Sequence, residues 1–185
     1  MDDRVMKKAV AFLNLAAGGS RKSMYGYQDN AGAAPGTALT AVGLLCRYYI
    51  DGWGPSHPGM IDGVAGLVKH GPIGKGQVRN MYYYYYATQV VHFYEGEDWK
   101  NWNEGPKGAD GTRKGGMRDW LVGEQIRKDG ANLGSWDPEG GWFGSECGRL
   151  GTTAMVLLTL EVYYRHLPLY KRGADGNGVK ILEDK

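Results

Sequence analysis

The chain has 185 residues, 22 of them basic and 20 acidic, for a formal net charge of +2. That length supports one core and is short for two domains, and a charge so near balance, with no dense basic run, excludes a phosphate-tracking surface and with it a nucleic-acid partner. Met1-Asp2-Asp3-Arg4 has neither the basic start nor the apolar stretch of a secretory signal, and the longest apolar run, around residues 153–164, contains Glu161 and falls short of a membrane span, so the expectation is a chain that is not transmembrane and carries no address to a compartment.

In chain order, a first outer helical segment is expected over residues 3–17, where Lys8-Ala9 precedes Phe12-Leu13 and charges gather on one side. A Gly-rich connection from Gly18-Gly19-Ser20 to Gly36 leads into Thr40-Ala41-Val42-Gly43-Leu44-Leu45 and on to Tyr48-Tyr49. Residues apolar nearly all round mark a buried inner helix. Cys46 within it reads as a small buried hydrophobe.

A second outer segment is expected over 58–70, with Asp62-Gly63 and Gly66-Leu67 in the same register, followed by the Gly71–Gly76 connection. Tyr82 to Tyr86, continuing through Tyr94, then fills the inner slot in aromatic form. Five consecutive tyrosines cover every side of a helix, so some pack in the core and others face the central space. Core packing is the plainer reading of the run and an aromatic wall for a ligand the sharper one. His92 reads as a core or helix-end histidine rather than a base.

Residues 103–116 are rich in turn formers and charges and read as an exposed insertion. The third outer segment is expected over 117–129, holding Trp120-Leu121 and Gln125, with Gly134-Ser135-Trp136 beyond it. The Gly130–Gly151 connection carries Asp137, Glu139, Trp142, Glu146 and Cys147. Asp137 and Glu139 read as loop-capping residues rather than sugar-binding carboxylates. Thr153-Ala154-Met155-Val156-Leu157-Leu158 then repeats the Thr-Ala-x-x-Leu-Leu of the first inner segment and again runs into a tyrosine pair, Tyr163-Tyr164. Cys46 and Cys147 lack a partner motif, so no disulfide is expected, and Cys147, in a Gly-rich loop, is the thiol open to reaction. Three copies of an outer-then-inner pattern predict an all-α domain over residues 1–171 made of six helices in three hairpins, with long Gly-rich loops forming a rim at one end and a polar tail over 172–185.

The order and spacing of Trp120-Leu121, Gln125 and Gly134-Ser135-Trp136 resemble the QW repeat of squalene and hopene cyclases. Over residues 3–170 the chain resembles the prenyltransferase and squalene-oxidase repeat family. Its closing segment, from Gly134-Ser135-Trp136 through Cys147-Gly148-Arg149-Leu150 to Leu167-Pro168-Leu169-Tyr170, is similar to the C-terminal part of large repeat proteins of planctomycete-type bacteria. The resemblance implies a partial α/α toroid of concentric inner and outer helices, in which Trp120, Gln125, Gly134 and Trp136 are structural and tie neighbouring helix ends.

The family's chemistry does not carry over with the repeat. A cyclase places an Asp-x-Asp-Asp acid directly before the Thr-Ala of an inner helix, because protonating an alkene needs an unusually strong acid; here Gly36 to Leu39 and Arg149 to Thr152 stand in those places. The zinc-holding Asp-x-Cys of protein prenyltransferases is absent, Cys147 being preceded by Ser145-Glu146. The Gly-Cys-Gly-Glu-Gln of the thioester toroids is absent too. No catalytic residue, metal or cofactor is therefore expected.

The expected role is a non-catalytic ligand- or protein-binding scaffold, with an isoprenoid or a glycan as ligand. Tyr25, Tyr27, Tyr84, Trp136, Trp142 and Glu146 are the candidate contact residues, with Tyr25, Tyr27, Trp136 and Trp142 expected at one mouth of the bundle. The alternative is a cyclase-like or polysaccharide-active toroid whose acid lies outside these motifs. Three hairpins make roughly half a ring, which calls for self-association or a missing half-toroid as partner.

Overall fold

The computed structural model describes residues 2–71, 80–128, 130–138 and 140–165, with side chains up to residue 162. The expected 72–76 part of the second connection, the domain end at 171 and the tail over 172–185 lie outside the described residues. Among these the chain is mostly helical.

Helix α1 (Asp3–Ala16) begins at Asp2, whose carboxylate accepts the Arg4 N–H at 2.9 Å and satisfies one of the open donors of the first turn. A short antiparallel pair follows, β1 (Ala17–Gly18) with β2 (Met24–Tyr25), in the register Ala17↔Tyr25 and Gly18↔Met24. Helix α2 (Ala38–Asp51) is capped by Thr37, which accepts the Thr40 N–H at 3.2 Å, and ends at Gly52 in the left-handed conformation that glycine reaches without a Cβ penalty. Helix α3 (Pro58–Lys69) has proline at its first position, where no N–H is missed, and His57 accepts the Gly59 N–H through Nδ1. Helix α4 (Met81–Tyr94) is capped by Asn80, and Glu95, at φ 64°, turns the chain sharply into α5 (Gly96–Asn103). Helices α6 (Met117–Gly123) and α7 (Trp142–Arg165) complete the chain, α7 being broken at Gly148 (φ 57°, ψ −158°).

Helix α4 is central, with α2 and α7 packed most extensively against it. Helices α1 and α3 pack on α2, α3 also touches α4, α5 packs on α4, and α6 contacts α5 and α7. Leu44, Val64, Leu67, Val90, Val91, Trp102, Leu121 and Val156 are fully buried between these elements. Each such side chain contributes on the order of 2 kcal/mol through apolar burial. Close approach is built in at Gly43, where a Cβ would overlap the Tyr25 ring.

Four expectations need correction. The six expected helices become seven among the described residues: α5 is the addition, and it is held by Trp102, whose Nε1–H donates to Thr88 Oγ1 of α4 at 2.9 Å. The first connection contains the β1–β2 pair. The third outer helix stops at Gly123 rather than at 129, because the backbone turns back on itself. There the Ile126 N–H donates to the Ser135 carbonyl at 2.9 Å and the Gly134 N–H to the Ile126 carbonyl at 2.8 Å. Finally, Trp142, Glu146 and Cys147 lie on the first helical stretch of α7 rather than in a loop, Gly148 supplying the break that follows them.

Candidate functional site

Two loops are fastened in the same way to the helix that follows each of them. The Tyr25 N–H donates to Thr40 Oγ1 at 3.0 Å, and the Trp136 N–H donates to Thr153 Oγ1 at 3.2 Å. Both threonines belong to the Thr-Ala-x-x-Leu-Leu motif, and both loops reach them through a short backbone pairing, β1–β2 in one and Ile126 with Ser135 in the other. Trp136 Nε1–H also donates to the Leu121 carbonyl at 2.6 Å, in the last turn of α6, where helical carbonyls lack intrahelical partners. Gln125 closes the same loop through Nε2–H to the Gly134 carbonyl at 3.0 Å. Gly134 sits at φ 82°, a conformation glycine adopts without strain.

With one side of α2, α4 and α7 given to the core, their opposite sides form apolar stripes. On α2 the helical spacing brings Leu39, Val42, Cys46 and Tyr49 onto one side, away from the buried Thr40, Leu44 and Arg47. On α4, Tyr82, Tyr85 and Tyr86 are half-buried, whereas Tyr83 and Tyr84 are buried. On α7, Leu150, Ala154, Leu157 and Glu161 lie opposite the buried Thr152, Val156 and Thr159. Exposure is large at Tyr49 (54%), Leu150 (84%) and Leu157 (46%).

The α2 and α4 stripes are neighbours, and α7 packs along the other side of α4. Tyr85 acts electrostatically on Tyr49, and Cys46, Tyr82 and Tyr85 act on Tyr86. The Tyr82 ring packs edge-on to Tyr86 at 4.9 Å and meets Phe143 of α7 at 6.2 Å. Burial, together with the Tyr82 hydroxyl, pushes the Tyr86 phenol up to about 12. Burial also raises Tyr49, Tyr83 and the Cys46 thiol above their ordinary values. The Tyr49 and Tyr86 phenols, raised in this way, stay protonated at neutral pH and serve as hydrogen-bonding groups on an apolar ground.

A cleft of about 400 Å3 opens at one end of the bundle, between the starts of α2 and α4 and the end of α3. Gly36, Thr37, His70, Asn80, Tyr83 and Tyr84 line it. A carbonyl only accepts, so the His70 Nδ1–H donates to Gly66 O at 3.0 Å, and Nε2 is the acceptor of the neutral ring. The Asn80 carboxamide oxygen caps α4 through the Tyr83 N–H at 2.9 Å, and the Tyr83 hydroxyl donates to the Leu67 carbonyl at 2.9 Å. Among the described residues lining this cleft none is a carboxylate or a thiol.

The six candidate contact residues are divided between core and surface. Tyr25 is buried, its hydroxyl accepting from Arg47 Nε at 2.9 Å; Trp136 is buried by the latch; Tyr84 is buried with its ring edge-on to Trp120 at 5.2 Å. Tyr27 and Trp142 are open to solvent at 75% and 70%, and Glu146 is exposed. Of the six, Tyr84 alone lines the end cleft. Asp29 caps a turn through the Ala31 N–H at 2.8 Å, Asp137 pairs with Arg149 at 2.7 Å, and Glu139 lies outside the described residues. His92 packs its ring against Trp99 at 4.7 Å.

Sequence reasoning missed Arg47. Its guanidinium, 3% exposed, donates to the Tyr25 hydroxyl and to Asn14 Oδ1 (2.8 Å), pairs with Asp51, and lies 5.0 Å from the Trp53 ring centre. The available signal was an arginine inside an apolar helix with an aspartate four residues on.

Among the described residues no group of three or more His, Cys, Asp or Glu side chains is placed to hold a metal ion, and no helix is long and apolar enough to cross a membrane. Comparison of the chain with models of protein families, with curated proteins and with solved structures gives no match in any of the three.

Proposed function

We propose that the chain is a three-hairpin sector of an α/α toroid of the prenyltransferase and squalene-cyclase repeat type, serving as a non-catalytic binding or scaffold domain. In this reading α2, α4 and α7 are the inner layer, and α1, α3 and α6, with α5 added, are the outer one. The observation that carries the reading is the face of the inner helices, rich in Tyr and Leu and with Glu161 as the charged residue of its stripes. Such a surface takes up apolar or stackable partners and offers little acid for chemistry. The end cleft supports the same reading, since its described lining, with His70 and Tyr83, holds no carboxylate. The enzyme alternative requires an acid that the residues before Thr40 and Thr153 do not provide.

The test is a titration of the purified chain with farnesol, geranylgeraniol and a neutral oligosaccharide, read by intrinsic fluorescence, with Tyr49→Ala/Leu157→Ala as the comparison variant. The expected result is saturable binding of an apolar alcohol or the oligosaccharide, weakened about tenfold or more in the variant (about 1.4 kcal/mol), with the ligand recovered unchanged. Conversion of the ligand would overturn the non-catalytic assignment. Failure to bind any of the three would remove the ligand half of the proposal and leave protein contact.

A further inference from the structure

We infer that the apolar face of α2, α4 and α7 is the seat of a second copy of the same chain, paired face to face about a two-fold axis. The inference rests on the reading of this face as the working surface and names its occupant. A two-fold interface sets each residue patch against itself, so a patch carrying one sign of charge repels its own copy. The Leu39, Val42, Cys46 and Tyr49 stripe has no charge, the α4 stripe contributes tyrosines, and Glu161 stands at the far end of the α7 stripe.

Tyrosine suits self-pairing for a further reason. Its hydroxyl both donates and accepts, so Tyr49, Tyr82, Tyr85 and Tyr86 can hydrogen-bond one another across the two-fold, which lysines alone or carboxylates alone cannot do. Rigid amphipathic rings are also the side chains that interface cores favour.

The extent of the face is adequate. Three adjacent helices, each roughly 20 Å long and set about 9 Å apart, present on the order of 500 Å2. Two copies would then cover about 1,000 Å2, the lower range of a specific interface. A competing apolar stripe exists on α1, where Val5, Phe12 and Leu15 are exposed, but it is one helix wide and is flanked by Arg4, Lys7 and Lys8.

The experiment is light scattering of the full chain at low and high micromolar concentration, with far-UV circular dichroism confirming that each variant is folded. Leu150→Glu and Leu157→Glu alter the inner face at exposed positions, and Phe12→Glu and Leu15→Glu alter the α1 stripe. The expected result is a concentration-dependent mass reaching twice the monomer, a dissociation constant raised about tenfold or more by each inner-face variant, and no change from the α1 variants. A wild-type chain that stays monomeric, a dimer released by the α1 variants alone, or an open-ended assembly would each overturn the pairing. A monomer that still binds farnesol retains the binding reading and loses only this inference; a monomer that binds none of the three ligands loses this inference and the ligand half of that reading.

Discussion

At the scale of single residues, the fold contains a cation with little access to water. Arg47 is shared among Tyr25, Asn14 and Asp51, drawn from β2, α1 and α2, with Trp53 beside it. Removing one partner of a buried ionic network leaves the others uncompensated. Arg47→Ala should therefore lower stability by about 3 kcal/mol in urea denaturation, a loss far above that of an exposed arginine such as Arg118. Glu95 argues in the opposite direction. It holds φ 64° and ψ −156° between α4 and α5, a region that costs side-chain-bearing residues about 1 kcal/mol or more. Glu95→Gly should raise the denaturation midpoint by a corresponding amount, and an unchanged or lower midpoint would show that the turn is not strained. The buried tyrosines add a dependence on pH. Tyr86 is raised from 10.0 to about 12, and burial raises Tyr83 as well. Between pH 10 and 12 the unfolded chain releases these protons while the folded chain keeps them, so stability is intact below 10 and falls as pH rises through the window. Circular dichroism and tyrosinate absorbance recorded together should change in one step there.

Among the elements, the matched contacts of Tyr25 with Thr40 and of Trp136 with Thr153 latch two loops to the helices that follow them in the same way. Thr153→Val removes the half-buried acceptor of the Trp136 N–H and should cost about 1 kcal/mol, and Thr40→Val, which removes the buried acceptor of the Tyr25 N–H and a donor to the Ala34 carbonyl, should cost more. The two losses should add if the latches act separately. Trp136→Ala, which also opens space beside Leu121, should cost about 3 kcal/mol. The Thr-Ala-x-x-Leu-Leu motif, the tyrosine run and the Asp62-Gly63 and Gly66-Leu67 register made the places of α2, α4 and α3 readable, because such patterns are local. Helix α5 was not readable for the converse reason. Its Gly-Glu-Asp-Trp-Lys-Asn-Trp-Asn run is polar and short, and it depends on Trp102 reaching Thr88 across the fold. Likewise, the aromatics chosen as contact residues carry the same local signal whether buried or exposed. Tyr25 and Trp136 are interior because a distant arginine and a helix-end carbonyl receive them, while Tyr27 and Trp142 remain outside.

For the molecule as a whole, the distribution of apolar surface is the feature that bears on function. The helices that pack around α4 bury one side each and leave Tyr49, Tyr82, Tyr85, Tyr86, Leu150 and Leu157 at least partly open on the other. Apolar surface left open in this way among the described residues is costly in water and favours a partner, whether a hydrophobic ligand or protein. The most direct measurement is hydroxyl-radical footprinting, read by mass spectrometry on dilute protein, on concentrated protein, and on dilute protein with farnesol or oligosaccharide. If this face is the working surface, Tyr49, Leu150 and Leu157 lose reactivity at high concentration or with ligand, while Phe12 and Leu15 on α1 react alike throughout. Unchanged labelling of the three under every condition, or protection confined to Phe12 and Leu15, would contradict it.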